Sequence, residues 1–157
     1  MTCRRGTETG APTPDGFELT APTTDDEVYG LLVAQHEGFG EDPPTDDSVA
    51  GLGRSLAAGT LAVYARETAT GEPAGGGVCT AISDGVGELA GIATRSRYRR
   101  RGIAAAVTAR LTETAFAAGA VELFLTPGDD GAERIYGRAG FRTTDEVIFV
   151  SRKVTSR

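Results

Sequence analysis

Three arginines and a glycine, Arg99-Arg100-Arg101-Gly102, separate a strand-like run ending at Thr94 from an alanine-rich, helix-like run beginning at Ile103. No other stretch restricts the fold so strongly. A glycine opens the helix, so its first-turn N–H groups have no intrahelical partner and point outward beside dense positive charge. That combination suits a phosphate or diphosphate. Arg95 and Arg97 lie just upstream, making five arginines in the seven residues from Arg95 to Arg101. Like charges this close repel, and a bound polyanion is one way to relieve them. The chain as a whole is nevertheless acidic, with a formal net charge of −6.

A length of 157 residues suits one globular domain with a buried core. The hydrophobic share of 39% and the charged share of 24% point to a soluble domain rather than a disordered chain. No apolar run approaches bilayer-spanning length, so no membrane partner is expected. Met1 to Pro14 is polar and rich in Gly and Pro, without an apolar signal core. Residues 1–15 are therefore expected to be disordered and residues 16–157 to form the domain. Cys3 and Cys79 fall in segments of different character, so no disulfide and a reduced, cytoplasmic setting are expected.

Scarcity excludes more than abundance does. Lys153 is the only lysine and stands near the end, which argues against a P-loop or a Schiff-base lysine. One histidine, His36, and two separated cysteines cannot make a zinc cluster of the usual spacing, and no metal is expected. A serine triad would need His36 and a G-x-S-x-G elbow that is missing. The glycines of a dinucleotide fingerprint are missing too. From Gly6 to Gly53 there are eleven Asp or Glu and no Lys or Arg. Solvated acidic loops explain such a run; so does a face for a cationic partner.

The pattern along the chain reads β-α-α-β-β-β-α-β-α-β-β. Phe17–Thr20 alternates as a strand, and Thr24 with Glu27 makes a capping box for a helix to about His36. Thr45 or Asp46 caps a second helix through Leu56, which Gly59 stops. Leu61–Ala65, Gly75–Ile82 and Glu88–Thr94 form an antiparallel meander, with Asp84-Gly85 as a hairpin turn. The helix from Gly102 to about Ala118 carries Ile103, Val107 and Leu111 on one stripe, and a crossover makes Val121–Leu125 a parallel strand. Asp129 or Asp130 caps a short helix holding Ala132, Ile135 and Tyr136, and a last pair of strands runs from Phe141 through Val147, Phe149 and Val150.

This order resembles the GNAT acetyltransferase superfamily, on three local matches. Arg99, Gly102 and Ala104 meet the acetyl-CoA signature [Q/R]-x-x-G-x-[G/A]. Ile92-Ala93-Thr94-Arg95-Ser96-Arg97-Tyr98 is similar to the strand end before it, with Ser96 where Pro is usual. Ala132, Tyr136 and Gly140-Phe141 are similar to the later Ala…Tyr…Gly-Phe segment. The resemblance covers about Phe17 to Val154 and implies a single-domain α/β (α+β) fold. It further implies a mixed, mostly antiparallel twisted sheet of about seven strands with about four helices and splayed central strands. Asp129 stands where Asn often contacts the coenzyme, and no coenzyme role is transferred to it.

The implied activity is transfer of an acetyl or short acyl group from acetyl-CoA to an amine, directly, in a ternary complex. Arg99, Arg100, Arg101, Gly102, Ile103, Ala104 and Ala105 would hold the diphosphate, with small residues letting it approach. Ile92, Ala93 and Thr94 would pair with the pantetheine arm, and one of their N–H groups would polarise the thioester carbonyl. Tyr136 is the candidate general acid, since a phenol matches a departing thiolate in acidity. Glu88 is the candidate general base, because on an alternating strand it shares the face of Thr94; His36 and water are alternatives. Cys79 reads as a small strand hydrophobe. Glu37, Glu41, Asp42, Asp46 and Asp47 favour a cationic small-molecule acceptor, with protein N-termini as the alternative. A homodimer is compatible with the family, and nucleic-acid binding is disfavoured by the acidic chain. The contrasting reading is a CoA-binding sensor without catalysis.

Overall fold

Capping sets the first two helices of the computed structural model, which describes residues 1–144. Thr24 starts α1 (Asp25–Phe39), its hydroxyl accepting from the Glu27 N–H at 3.2 Å. The Glu27 carboxylate reaches one residue further back than a capping box requires, taking the N–H and O–H of Thr23 at 2.7 and 2.9 Å. The helix outlasts His36 because Gly38 stays helical and the chain first turns left-handed at Gly40, at φ 72°. Thr45, with Ser48 as its reciprocal partner, caps α2 (Asp46–Ala57), which packs on α1.

Six strands form one sheet: β1 (Thr2–Arg4), β2 (Phe17–Thr20), β3 (Leu61–Glu67), β4 (Pro73–Cys79), β5 (Val86–Thr94) and β6 (Glu122–Phe124). Their order is β1-β6-β5-β4-β3-β2, antiparallel throughout except for the parallel pair β5–β6. Helix α3 (Ile103–Ala117) crosses one face, and α1 lies on the other. The α3 stripe behaves as its spacing requires: Ile103, Val107 and Leu111 are at most 1% exposed. Helix α4 (Asp130–Arg138) follows β6 and packs on α3.

The middle of β4 is glycine because helices press on it from both sides. A side chain at Gly76 would run into Leu31 of α1, and one at Gly77 would come within 2.8 Å of Ile92 and 3.1 Å of Leu111. The bare strand lets the two helices sit close to the sheet.

Two expectations change. Residues 1–15 were expected to be disordered, yet Thr2–Arg4 forms the edge strand on β6 with Cys3 only 2% exposed. Arg5 then donates to the Phe116 carbonyl in the last turn of α3 and, at 2.7 Å, to the Ala120 carbonyl just beyond the helix. Three residues of alternating pattern are too few to read as a strand when the partner is 120 positions away; only the paired register Thr2↔Phe124 reveals it. The expected seven strands become six among the described residues, and the last expected pair lies mostly outside them. Arg142 does begin a bridge to Thr2.

Candidate functional site

The site is organised by a strand that continues after its neighbour has left. Strands β5 and β6 pair only at Val86↔Glu122, Gly87↔Leu123 and Glu88↔Phe124. Beyond that point β5 runs on to Thr94 without a β6 partner, so the central strands splay as expected. A single 3₁₀ turn (Ser96–Tyr98) leads from β5 into the arginine turn. Arg100 sits at φ 64° and Gly102 at φ 84°. A non-glycine residue with positive φ costs about 1–2 kcal/mol and is maintained by its surroundings. Gly102 is the N-cap of α3 and offers no side-chain cap, and the first turn holds no acidic residue. The N–H groups of Ile103, Ala104 and Ala105 are therefore left for an anion.

The arginines do not act as one block. Arg95 donates to Glu37 at 2.7 Å and to the Pro73 carbonyl at 3.0 Å, and it pairs with Glu72 at 3.6 Å; Arg97 also pairs with Glu72. Two of the five are thus neutralised inside the chain, which relieves part of the repulsion read from the sequence. The bond to Arg95, with Ser96 assisting, lowers the Glu37 carboxyl below its ordinary value. Arg99 spans from the Thr94 carbonyl at 3.5 Å to the Gly38 carbonyl at 3.0 Å. Arg101 lies over the rings of Tyr98 and Phe17, at 5.6 and 6.0 Å. Arg100 has no hydrogen bond or ion pair to any described residue and is the guanidinium most available to a ligand.

A β-bulge changes which residues share a face. Gly76 pairs with Ala93 and Val78 with Ala90, so Gly77 alone opposes both Gly91 and Ile92. The extra residue reverses the alternation. Thr94 and Ile92 face α3, touching the space beside Gly75 and Gly77, whereas Ala93 faces α1 against Gly38. Glu88 therefore stands on the α1 face, opposite to Thr94, and the shared-face argument for it fails. Its own neighbour there is Phe124, across the parallel ladder and 38% exposed. Phe124 was missed because Val121–Leu125 reads as a strand of the buried type, with Leu123, Phe124 and Leu125 consecutive and apolar. Only the pairing shows that Leu123 goes inward and Phe124 outward.

Tyr136 lies on α4, 9% exposed, with its ring edge-to-face against Phe141 at 6.4 Å. Burial, then the nearby Asp129 charge, raises its phenol above the ordinary value of 10.0. Asp129 caps α4, accepting from the Ala132 N–H at 2.8 Å. Cys79 is fully buried, and burial followed by the Glu88 charge pushes its thiol up to about 11, which leaves it inert as a nucleophile. His36 points its Nδ1 at the Asp42 carbonyl, 2.5 Å away, in the loop after α1. No group of metal-ligating side chains occurs among the described residues, and no helix there is long and apolar enough to cross a membrane.

The sequence model of the Acetyltransferase (GNAT) family matches residues 26–141, from α1 to the Gly-Phe after α4. The chain belongs to this family. No curated protein matches it. A GCN5-related N-acetyltransferase from Kribbella flavida superposes with a TM-score of 0.69 at 32% identity, over 90% of this chain and 52% of its own. One from Sphaerobacter thermophilus superposes with a TM-score of 0.73 at 22% identity, over 88% and 45%. The chain thus spans about half the length of each of these two GNAT relatives. The structure of AAC(6')-Iy in complex with the bisubstrate analogue CoA-S-monomethyl-acetylneamine shares the fold, with a TM-score of 0.69 at 19% identity, over 88% and 99%.

Proposed function

We propose that the chain transfers an acetyl or other short acyl group from acetyl-CoA to an amine. The observation that carries this reading is the open seam beside β5, which leads to an uncapped helix start at its foot. A long, thin thioester with a diphosphate at one end suits such an opening. The diphosphate is held by the N–H groups of Ile103, Ala104 and Ala105, with Gly102 giving room and Arg100 adding charge. Arg99 and Arg101 are engaged with carbonyls and rings, so they shape the turn as well as charging it. The pantetheine arm lies along Ile92, Ala93 and Thr94 as an added strand. The CoA-derived ligand of AAC(6')-Iy supports a CoA carrier on this fold.

In the reaction, the acceptor ammonium loses a proton to Glu88, directly or through water, and the neutral nitrogen attacks the thioester carbonyl. Glu88 keeps this role on its place beside Phe124 at the end of the β5–β6 pairing, not on a face shared with Thr94. The C–N bond forms, the C–S bond breaks, and the leaving thiolate takes the proton of Tyr136, while the second proton of the nitrogen, shed as the amide forms, passes through water to restore the phenol. The acceptor is a cationic small molecule. Phe124 beside Glu88 presents an aromatic face next to a carboxylate, which favours an ammonium over a neutral or anionic group. Glu41, Asp42, Asp46 and Asp47 extend that preference, whereas Glu37 contributes less because Arg95 holds it.

A thiol-release screen with acetyl-CoA and a panel of polyamines, aminoglycosides and amino-acid amides tests the reading. Cationic amines are expected to be turned over in preference to neutral or anionic ones. Equal rates for all three would remove the acceptor assignment. No thiol release with any amine would remove the transferase reading.

A further inference from the structure

The peptide unit joining Gly91 to Ile92 is held by one side chain of another element. Gln35 of α1 donates from Nε2 to the Gly91 carbonyl at 2.8 Å, in a half-buried position. Gly91 is the first of the two bulged residues and sits at φ 60°. A side chain there would collide with the same Gln35 amide, so the bulge accommodates the glutamine and nothing larger. Because the peptide is planar and trans, its C=O and N–H point in opposite directions. With the carbonyl drawn toward α1, the Ile92 N–H is aimed away from α1. This unit lies beyond Glu88, on the part of β5 that β6 no longer pairs.

We propose that Gln35 is a positioning residue for acyl transfer: by holding the Gly91 carbonyl it sets the Ile92 N–H as the donor to the thioester carbonyl oxygen. The inference rests on the acyl-CoA reading above and adds the donor and what orients it. A backbone bulge at φ 60° is free to tilt, and a tilted donor loses its aim on the oxygen that becomes negative in the tetrahedral intermediate. Gln35 removes that freedom from outside the strand. It touches neither carrier nor amine.

The test is the infrared stretch of [1-13C]acetyl-CoA bound to the full chain and to Gln35→Met, which keeps length and removes the donor. Binding of CoA, the carrier without the acyl group, and the melting temperature serve as controls. The bound carbonyl stretch of the native chain is expected below that of free acetyl-CoA. In Gln35→Met it is expected to return toward the free value, with CoA affinity unchanged. With any amine accepted in the thiol-release screen, kcat is expected to fall about tenfold or more while the KM for acetyl-CoA holds. Gln35→Glu, which also lacks the donor, repeats the test should the methionine variant not fold. The same lowered stretch in native and variant chains would overturn the role of Gln35 and leave the carrier site intact. No binding of acetyl-CoA by the native chain would instead overturn the acyl-transfer reading itself.

Discussion

At Tyr136, burial and a neighbouring carboxylate push in the same direction. Both oppose the phenolate, so the phenol remains a proton donor through neutral pH and beyond its ordinary value of 10.0. Tyr136→Phe is expected to lower turnover about 100-fold or more, with acetyl-CoA affinity retained, as measured by thiol release and calorimetry. Asp129→Asn tests the electrostatic half. Asparagine caps a helix as well as aspartate does, so α4 persists, but the negative charge is gone. The phenolate then forms more easily, and the alkaline limb of the kcat profile is expected to move to lower pH. A limb that stays in place or moves up would contradict the assignment. The placement of these two residues was legible in the sequence because its signals are local: a turn, a capping aspartate and a tyrosine on the following helix. The Glu37–Arg95 pair was not, since 58 positions separate its members.

The elements meet where α1 lies across β5, and one extra residue decides the chemistry there. The run Val86–Thr94 reads as plain alternation, which places Glu88 and Thr94 together. The bulge at Gly91-Ile92 separates them; a lone glycine inside the strand is its one local hint, and the register with β4 is what shows it. Gln35 read only as a helix position for the same reason. The caps of α1 and α2, the α3 stripe and the hairpin at Asp84-Gly85 were all readable, because each depends on neighbours within four residues. Phe124 carries the prediction at this scale. Phe124→Leu removes the aromatic face and keeps an apolar side chain at a partly exposed position. An exposed cation–π contact is worth about 0.5–1 kcal/mol, so the KM for cationic amines is expected to rise about two- to fivefold. Neutral amines and acetyl-CoA serve as internal controls and are expected to be unaffected. A uniform change for all acceptors would show that Phe124 only shapes the sheet.

Across the whole molecule, the charge divides as the sequence suggests, but its bookkeeping is internal as well as external. The acidic first third supplies Glu37 to Arg95, and the β3–β4 turn supplies Glu72 to Arg95 and Arg97. Within the arginine turn, Arg99, Arg100 and Arg101 have no ion pair to any described residue, and they stand beside the start of α3. The N-terminal strand closes the sheet at its β6 edge, and Arg5 satisfies carbonyls at the end of the same helix whose start is left open. One end of α3 is thus completed by the protein and the other is left for a ligand. Such long-range completion is invisible in a local pattern, whereas the order of elements from β2 to α4 was legible. Calorimetric titration with acetyl-CoA at two temperatures and two salt concentrations tests the open end most directly. The expected result is a single-site isotherm whose affinity weakens as salt screens the diphosphate. An absence of binding under all four conditions would contradict the account.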